Sequence, residues 1–280
     1  MVLSRGYLWP TAEEDGKRVG EAEIEVSTTL ELHAGERLVR VNTQFENRCR
    51  NHRLRAVFPL PQPSMTSQAE CAFAIVERGL QAEGGPSEKG LPTFPSRRFV
   101  KAGGLTVMHE GLLEYELIEI DPERGAKALA LTLLRATGVL SQIEMSYRPV
   151  PAGPHTPLEG PQMIGPLEAR YALCVDEGDP YSMVEDAFVP LRATRSHGGG
   201  HRSASGSALS VEGAEVSSLR REAGCLEVRL FNPSPEPARV MIVGYDGWLV
   251  DLRGRPVRPF EETFELQAWE IATARLPHDS

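Results

Sequence analysis

The 280-residue chain is short of most features that betray a function at once. It contains no apolar run approaching the ~18 residues of a spanning helix, which excludes a helical membrane protein. Its opening, MVLSRGYLWPTAEEDGKRVGE, lacks the apolar core and small-residue cleavage site of a secretory leader. Aromatic residues make up only 6%, and Trp9, Trp248 and Trp269 are scattered, which argues against a row of rings for stacking. Four cysteines carry no CxxC pair, and Cys71, Cys174 and Cys225 sit in or beside apolar segments. They read as reduced core thiols in a cytoplasmic setting. Thirty basic against 39 acidic side chains give a net charge of −9, with Arg and Lys dispersed. Neither nucleic acid nor an anionic membrane is the expected partner.

Chemical motifs are equally sparse. His197 and His201 form HGGGH, an i, i+4 pair that on a helix could bind zinc, but three glycines oppose a helix there. No third ligand lies close in sequence, and His33, His155 and His278 belong to no local ligand pattern. There is no GxSxG nucleophile turn, and GGPSEKG lacks the spacing and following helix of a phosphate loop. The carboxylates Glu114, Glu116, Asp176 and Glu177 could act in acid/base chemistry, but two carboxylates alternating on a strand read more readily as a solvated face. The residues themselves assign neither a catalytic group nor a metal ligand.

What the chain has is alternation. In EAEIEVSTTLEL, Ile24, Val26, Leu30 and Leu32 share one face and Glu23, Glu25, Ser27 and Glu31 the other. After the turn HAGE, RLVRVNTQFEN places Val39, Val41, Thr43 and Phe45 together, which predicts a long antiparallel hairpin. Further strands are predicted at 54–60, 71–77, 104–110, 112–120, 169–175, 224–232, 238–245, 247–252 and 262–268. The segment KALALTLLRATGVLSQ (127–142) is rich in helix formers, yet Leu129, Leu131 and Leu133 alternate with Ala128, Ala130 and Thr132. Among so many strands it reads as a central strand, apolar on both faces and ending at Arg135. SMVEDAF is the one short helix expected. Twenty-two prolines and 26 glycines suit short strands and many turns. The expected fold is all-β, an antiparallel sandwich with a smaller C-terminal β part. Residues 1–20 form a lead, 21–191 the main sandwich, 192–210 a flexible Gly/Ser/His loop and 211–280 the smaller part.

Two segments hold more polarity than their periodicity requires. NRCRNHRLRAVFPLP leads four arginines into a strand, and GPHTPLEGPQMIGPLEARYAL holds Gln162 in a stiff loop ahead of another. Each can be a docking or sugar-facing surface, or a structural connection.

The motif order resembles a known family. NHRLRAVFPLP (51–61), IVERG (75–79), LPTFPSRRFV (91–100), GLTVMHEGLLEYEL (104–117) and ALALTLLRATGVLSQ (128–142) come first. TP…GPQMIG (156–165), RYAL (170–173), RLFNPS (229–234) and WEIATARL (269–276) follow. From about residue 22 to 277 this is similar to the C-terminal β region of glycoside hydrolase family 38, the α-mannosidases and mannosylglycerate hydrolases. The resemblance implies a galactose-mutarotase-like supersandwich. It also implies that the nucleophile, the acid/base group and a zinc ion belong to an N-terminal barrel that these motifs do not include. The chain would then pack on a family 38 catalytic domain or subunit, help shape an α-mannoside pocket, and hold no cofactor itself. By position Arg78 in IVERG is the expected sugar contact, or else pairs with a carboxylate on a sheet face. Gln162 and Tyr115 are further substrate-binding candidates, and Arg53 and Arg55 are expected to brace a domain contact. A free-standing carbohydrate-binding module and a purely structural module are the rival readings.

Overall fold

The computed structural model describes residues 1–175, 178–195, 205–207, 209–222 and 224–277. The chain divides into two compact units, Met1–Glu70 with Val76–Val189, and Cys71–Ile75 with Pro190–Ser280. Its elements begin with β1 (Val2–Trp9), β2 (Ala12–Glu14), β3 (Lys17–Val19), β4 (Ala22–Glu31), β5 (Val39–Asn47), β6 (Arg53–Ser64) and β7 (Thr66–Cys71). Then come β8 (Ala74–Gly79), β9 (Thr93–Pro95), β10 (Phe99–Ala102), β11 (Leu105–His109), β12 (Glu114–Asp121), β13 (Gly125–Arg135), β14 (Gly165–Cys174) and the helix α1 (Pro180–Phe188). The last six strands are β15 (Val211–Glu212), β16 (Glu215–Glu222), β17 (Cys225–Phe231), β18 (Ala238–Val250), β19 (Pro256–Leu266) and β20 (Ile271–Pro277).

The first unit is a sandwich. One sheet has eight strands in the order β1-β4-β5-β14-β11-β10-β7-β8, and the other has four in the order β6-β13-β12-β9. Val41, Val100, Val107 and Tyr171 from the first meet Tyr115, Leu117, Leu129 and Leu131 from the second in one core. The segment KALALTLLR is the inner strand β13, flanked on both sides by hydrogen-bonded neighbours. Ala128, Leu129, Ala130 and Leu131 have at most 1% exposure, so both of its faces are covered and alternation has overruled helix propensity. The turn into β13 depends on Gly125, whose φ of 98° and approach to the Ser64 carbonyl (2.3 Å from an added Cβ) admit no side chain. Asp121 closes the same turn by accepting from the backbone N–H groups of Glu123 and Arg124, which hold its carboxyl below the usual range.

Several expectations shift in detail. β4 and β5 form the long hairpin, but Leu32 lies beyond the strand and is exposed. The predicted strand 71–77 is split by a turn at Ala72–Phe73, where Phe73 adopts φ 60°. The expected lead, residues 1–20, carries three strands: β1 pairs along its whole length with β4, and β2 pairs with β3. The helix expected around SMVEDAF is α1, started by Pro180 in its first turn and by Asp179, whose carboxylate accepts from Tyr181 and Ser182 N–H. Most of the predicted flexible loop, with the HGGGH motif and the carboxylates Asp176 and Glu177, lies outside the described residues.

The second unit is a six-stranded antiparallel sheet, ordered β15-β18-β20-β17-β16 with β19 on β18. The predicted strands 238–245 and 247–252 are one strand, β18, bent where the register shifts between Met241 and Asp246. One face carries the apolar set Val228, Leu230, Val240, Ile242, Leu266, Ala274 and Leu276. On the other, the Glu227 carboxylate lies between two arginines, accepting from Arg275 at 2.6 Å and Arg220 at 2.6 Å. Burial alone would raise its pKa, but the hydrogen bonds from Arg275 and Arg220 outweigh that and hold it below the usual range.

The sandwich interior also holds an imidazole. Ser96 Oγ donates to the Phe99 carbonyl (2.8 Å), so Ser96 Oγ itself accepts from His109 Nε2–H (2.9 Å), and Nδ1 is left as a buried acceptor without a partner. Burial pushes His109 down to about 4. The unfolded chain protonates this side chain near its ordinary value while the folded chain does not. Stability is therefore full above pH ~6.5, and about 3 kcal/mol is lost as pH falls towards 4. Urea unfolding at stepped pH should show that loss in the wild type and a flatter profile in His109→Phe. At neutral pH, Leu129→Ala should cost about 2–5 kcal/mol by the same measurement, since it empties space between two packed sheets.

Candidate functional site

Alternation within the four-stranded sheet builds a polar surface on the face opposite the core. On β12, Tyr115 and Leu117 point inward, which turns Glu114 and Glu116 outward. The neighbouring β13 contributes Thr132 and Arg135, and β6 contributes Arg53 and Arg55. The register sets Arg53 beside Arg135 and Arg55 beside Thr132. Glu114 accepts from Thr132 Oγ1 at 2.7 Å, from Arg53 Nη1 at 3.2 Å and from Arg135 Nη1 at 3.2 Å. Glu116 accepts from Arg55 Nη1 at 2.6 Å and Arg53 Nη2 at 3.2 Å. Arg53 thus bridges both carboxylates. Three guanidinium groups meet two carboxylates, leaving one positive charge in excess. The glutamates are about one-fifth exposed and Arg135 is 68% exposed, so the network orders side chains more than it stabilises the fold.

Beside this network opens a groove of ≈ 1330 Å³, lined by Arg53, Arg78, Phe94, Glu114, Arg135 and Tyr147 together with the 81–91 loop. Arg78, on β8, lies over the Phe94 ring with its guanidinium carbon 5.5 Å from the centroid. Phe94 in turn rests against Tyr115, centroid to centroid 6.1 Å. The loop wall is fixed at two points. Gly85 N–H donates to the Glu88 carbonyl, and Lys89 N–H donates to that of Tyr147. Gly90 is required there, since an added Cβ would lie 2.3 Å from the Ala82 carbonyl oxygen.

Not every sequence candidate reaches this surface. Tyr115 has no exposed area and its hydroxyl lies 2.8 Å from Ser67 Oγ, so it is a core residue that props Phe94 from inside the sandwich. Gln162 is 3% exposed and acts as a staple, its Nε2 donating to Asn51 Oδ1 (2.7 Å) and its Oε1 accepting from Asn51 N–H (2.8 Å). Behind it, Asn47 uses its whole amide. Nδ2 donates to the Gln162 and Met163 carbonyls, and Oδ1 accepts from Cys49 N–H and His52 Nε2. These bonds tie residues 47–52 to 162–163 and so fix the point from which Arg53 enters β6. Arg53 and Arg55 both belong to the ionic network. Sequence reading passed over Glu114 and Glu116 as a solvated face, and it missed Phe94 and Tyr147. The one available signal was RLR on one strand and EYE on another, and only the strand order makes those neighbours. Among the described residues no group of three His, Cys, Asp or Glu side chains is placed to hold a metal ion.

No family model matches the chain. A curated protein of Halalkalibacterium halodurans, named as a candidate mannosylglycerate hydrolase, is 28% identical over 182 residues, 62% of this chain and 18% of its own length. An α-mannosidase crystal structure from Enterococcus faecalis V583 superposes with a TM-score of 0.76 at 21% identity, covering 98% of this chain and 33% of that one. A glycosyl hydrolase family 38 protein from Enterococcus faecalis gives 0.76 at 20% identity, covering 98% and 34%. The chain therefore spans about a third of the solved relatives' length and less of the curated one. It is similar throughout to a portion of the family 38 α-mannosidases, and it has the all-β fold of that portion.

Proposed function

We propose that this chain supplies the non-catalytic β portion of an α-mannosidase-like glycoside hydrolase, and that the groove of its first unit forms one wall of the α-mannoside pocket. The observation that carries this reading is Arg78. It is a cation held over an aromatic ring on rigid strands, at the border of an open groove, in the segment that resembles the family's sugar contact. The partner is a family 38 catalytic domain or subunit, and the exposed Arg135 end of the ionic network is the part offered to it. Arg53 and Arg55 set that surface rather than reacting.

Hydrolysis by this chain alone has little support in its chemistry. Retention at a glycosidic carbon requires two carboxylates roughly 5–5.5 Å apart, one of them free to give and take a proton. Glu114 and Glu116 are both occupied as acceptors from arginine. Nucleophile, acid/base group and zinc are accordingly assigned to the catalytic partner.

The purified chain with added zinc and an aryl α-mannoside should show no turnover, and stoichiometric or faster release of the aryl group would overturn the non-catalytic reading. Titration with methyl α-mannoside, followed by amide NMR, should move resonances of Val76–Gly79 and Thr93–Pro95, and Arg78→Met should weaken that response about tenfold, near 1.4 kcal/mol. Shifts that survive Arg78→Met, or that fall elsewhere, would remove the groove from the pocket. Gln162→Leu should leave the sugar response intact but lower stability by about 1–3 kcal/mol in urea unfolding, because it strands two polar groups of Asn51.

A further inference from the structure

The eight-stranded sheet ends in a strand with one side open. Among the described residues β1 is hydrogen-bonded to β4 alone, in unbroken register from Val2↔Thr29 to Trp9↔Ala22. Its burial is low throughout, with Val2 65%, Leu3 51%, Tyr7 38% and Leu8 69% exposed. Such an edge presents a row of unpaired N–H and C=O groups, and proteins ordinarily guard it with Lys, Pro, a bulge or brevity. β1 has eight residues, and VLSRGYLW holds neither Lys nor Pro and shows no bulge against β4. Arg5 is its one charge, and it lies over the Tyr7 ring, 5.2 Å from the centroid.

We propose that β1 is a dimerisation edge, pairing antiparallel with β1 of a second copy about a two-fold axis at Gly6. The register with β4 gives the faces. Tyr7 lies beside the buried Ile24, so Leu3, Arg5, Tyr7 and Trp9 point to the core side, and Val2, Ser4, Gly6 and Leu8 to the other. An axis perpendicular to the sheet keeps each face on its own side, so opposed residues share parity. With Gly6 opposite Gly6, Leu3 meets Trp9, Arg5 meets Tyr7 and Ser4 meets Leu8. The core-side row then consists of two apolar pairs and two cation–aromatic pairs, with no like charges opposed. Moving the axis to Arg5 sets the two guanidinium groups against each other, and moving it to Tyr7 leaves Leu3 outside the pairing. The strand is thus complementary to itself in one register. That self-complementarity, with Arg5 as the sole charge and Tyr7 as its counterpart, is the reason to name a second copy as occupant. The pairing stands apart from the sugar-pocket reading and does not require it.

Gly6→Cys tests the register directly. Cα atoms facing each other across an antiparallel pair lie about 4.5–5.5 Å apart, within reach of a disulfide. An added Cβ at Gly6 meets only the flexible end of Glu23, at 3.0 Å. Mild oxidation of Gly6→Cys should give a covalent dimer whose cross-link maps by mass spectrometry to the strand's own peptide, while Leu8→Cys, facing Ser4, should not. Sedimentation velocity of the wild type should show a concentration-dependent dimer. Val2→Lys with Leu8→Lys should weaken it at least tenfold with circular dichroism and melting unchanged. A wild type that stays monomeric at every concentration, or a dimer indifferent to the lysines, would overturn the proposal. So would a cross-link mapping to Cys71 or Cys225 instead.

Discussion

The two-residue period of β12 and β13 is the constraint on which the rest of the first unit depends. A strand cannot bury Tyr115 and Leu117 without turning Glu114 and Glu116 to the other side. The core and the ionic surface are therefore one decision. A slip of one residue in register would place both carboxylates among leucines, at a cost no surface pair could offset. The groove inherits its accuracy from this coupling. Phe94 rests on a tyrosine locked inside the sandwich, and Arg78 rests on Phe94.

Buried carboxylates gripped by arginine recur in the protein. Glu70 has no exposed side-chain area and accepts from Arg98 Nε at 2.8 Å and Nη2 at 2.6 Å, with Arg97 at 3.3 Å. In the second unit Glu227 holds Arg220 and Arg275 in the same way. In both places the carboxylate lies within a sheet and the arginines form its lid. The planar, multiply donating guanidinium suits this role where an ammonium would not. These pairs contribute fixed geometry within the sheets more than net free energy.

Much of the fold was legible because burial enforces alternation. Leu129 and Leu131 declared a strand inside an Ala/Leu-rich run, and Ile24, Val41 and Phe45 declared the long hairpin. β1 was not legible, since VLSRGYLW has apolar residues on both faces and no cover to impose a period. The site was harder to read. Tyr115 looked like a ligand contact because a tyrosine in EYE is ambiguous until its face is known, and the inward face belonged to it. Gln162 drew notice for its rigid loop, and the rigidity is real, but its amide serves the chain itself. The pairing of RLR with EYE needed β13 placed between them, a long-range fact that no local pattern contains. The motif order alone pointed to family 38, and it did so for the fold more firmly than for any single residue.

Asn47 uses two donors and two acceptor positions at once, and every partner is fixed backbone or a fixed ring. An aspartate there would have the same shape and the wrong polarity, with an oxygen facing the carbonyls of Gln162 and Met163. A single amide-to-acid exchange at Asn47, nearly invisible in volume, would therefore loosen the loop that launches Arg53, and the order of the charged surface would be lost before the sandwich.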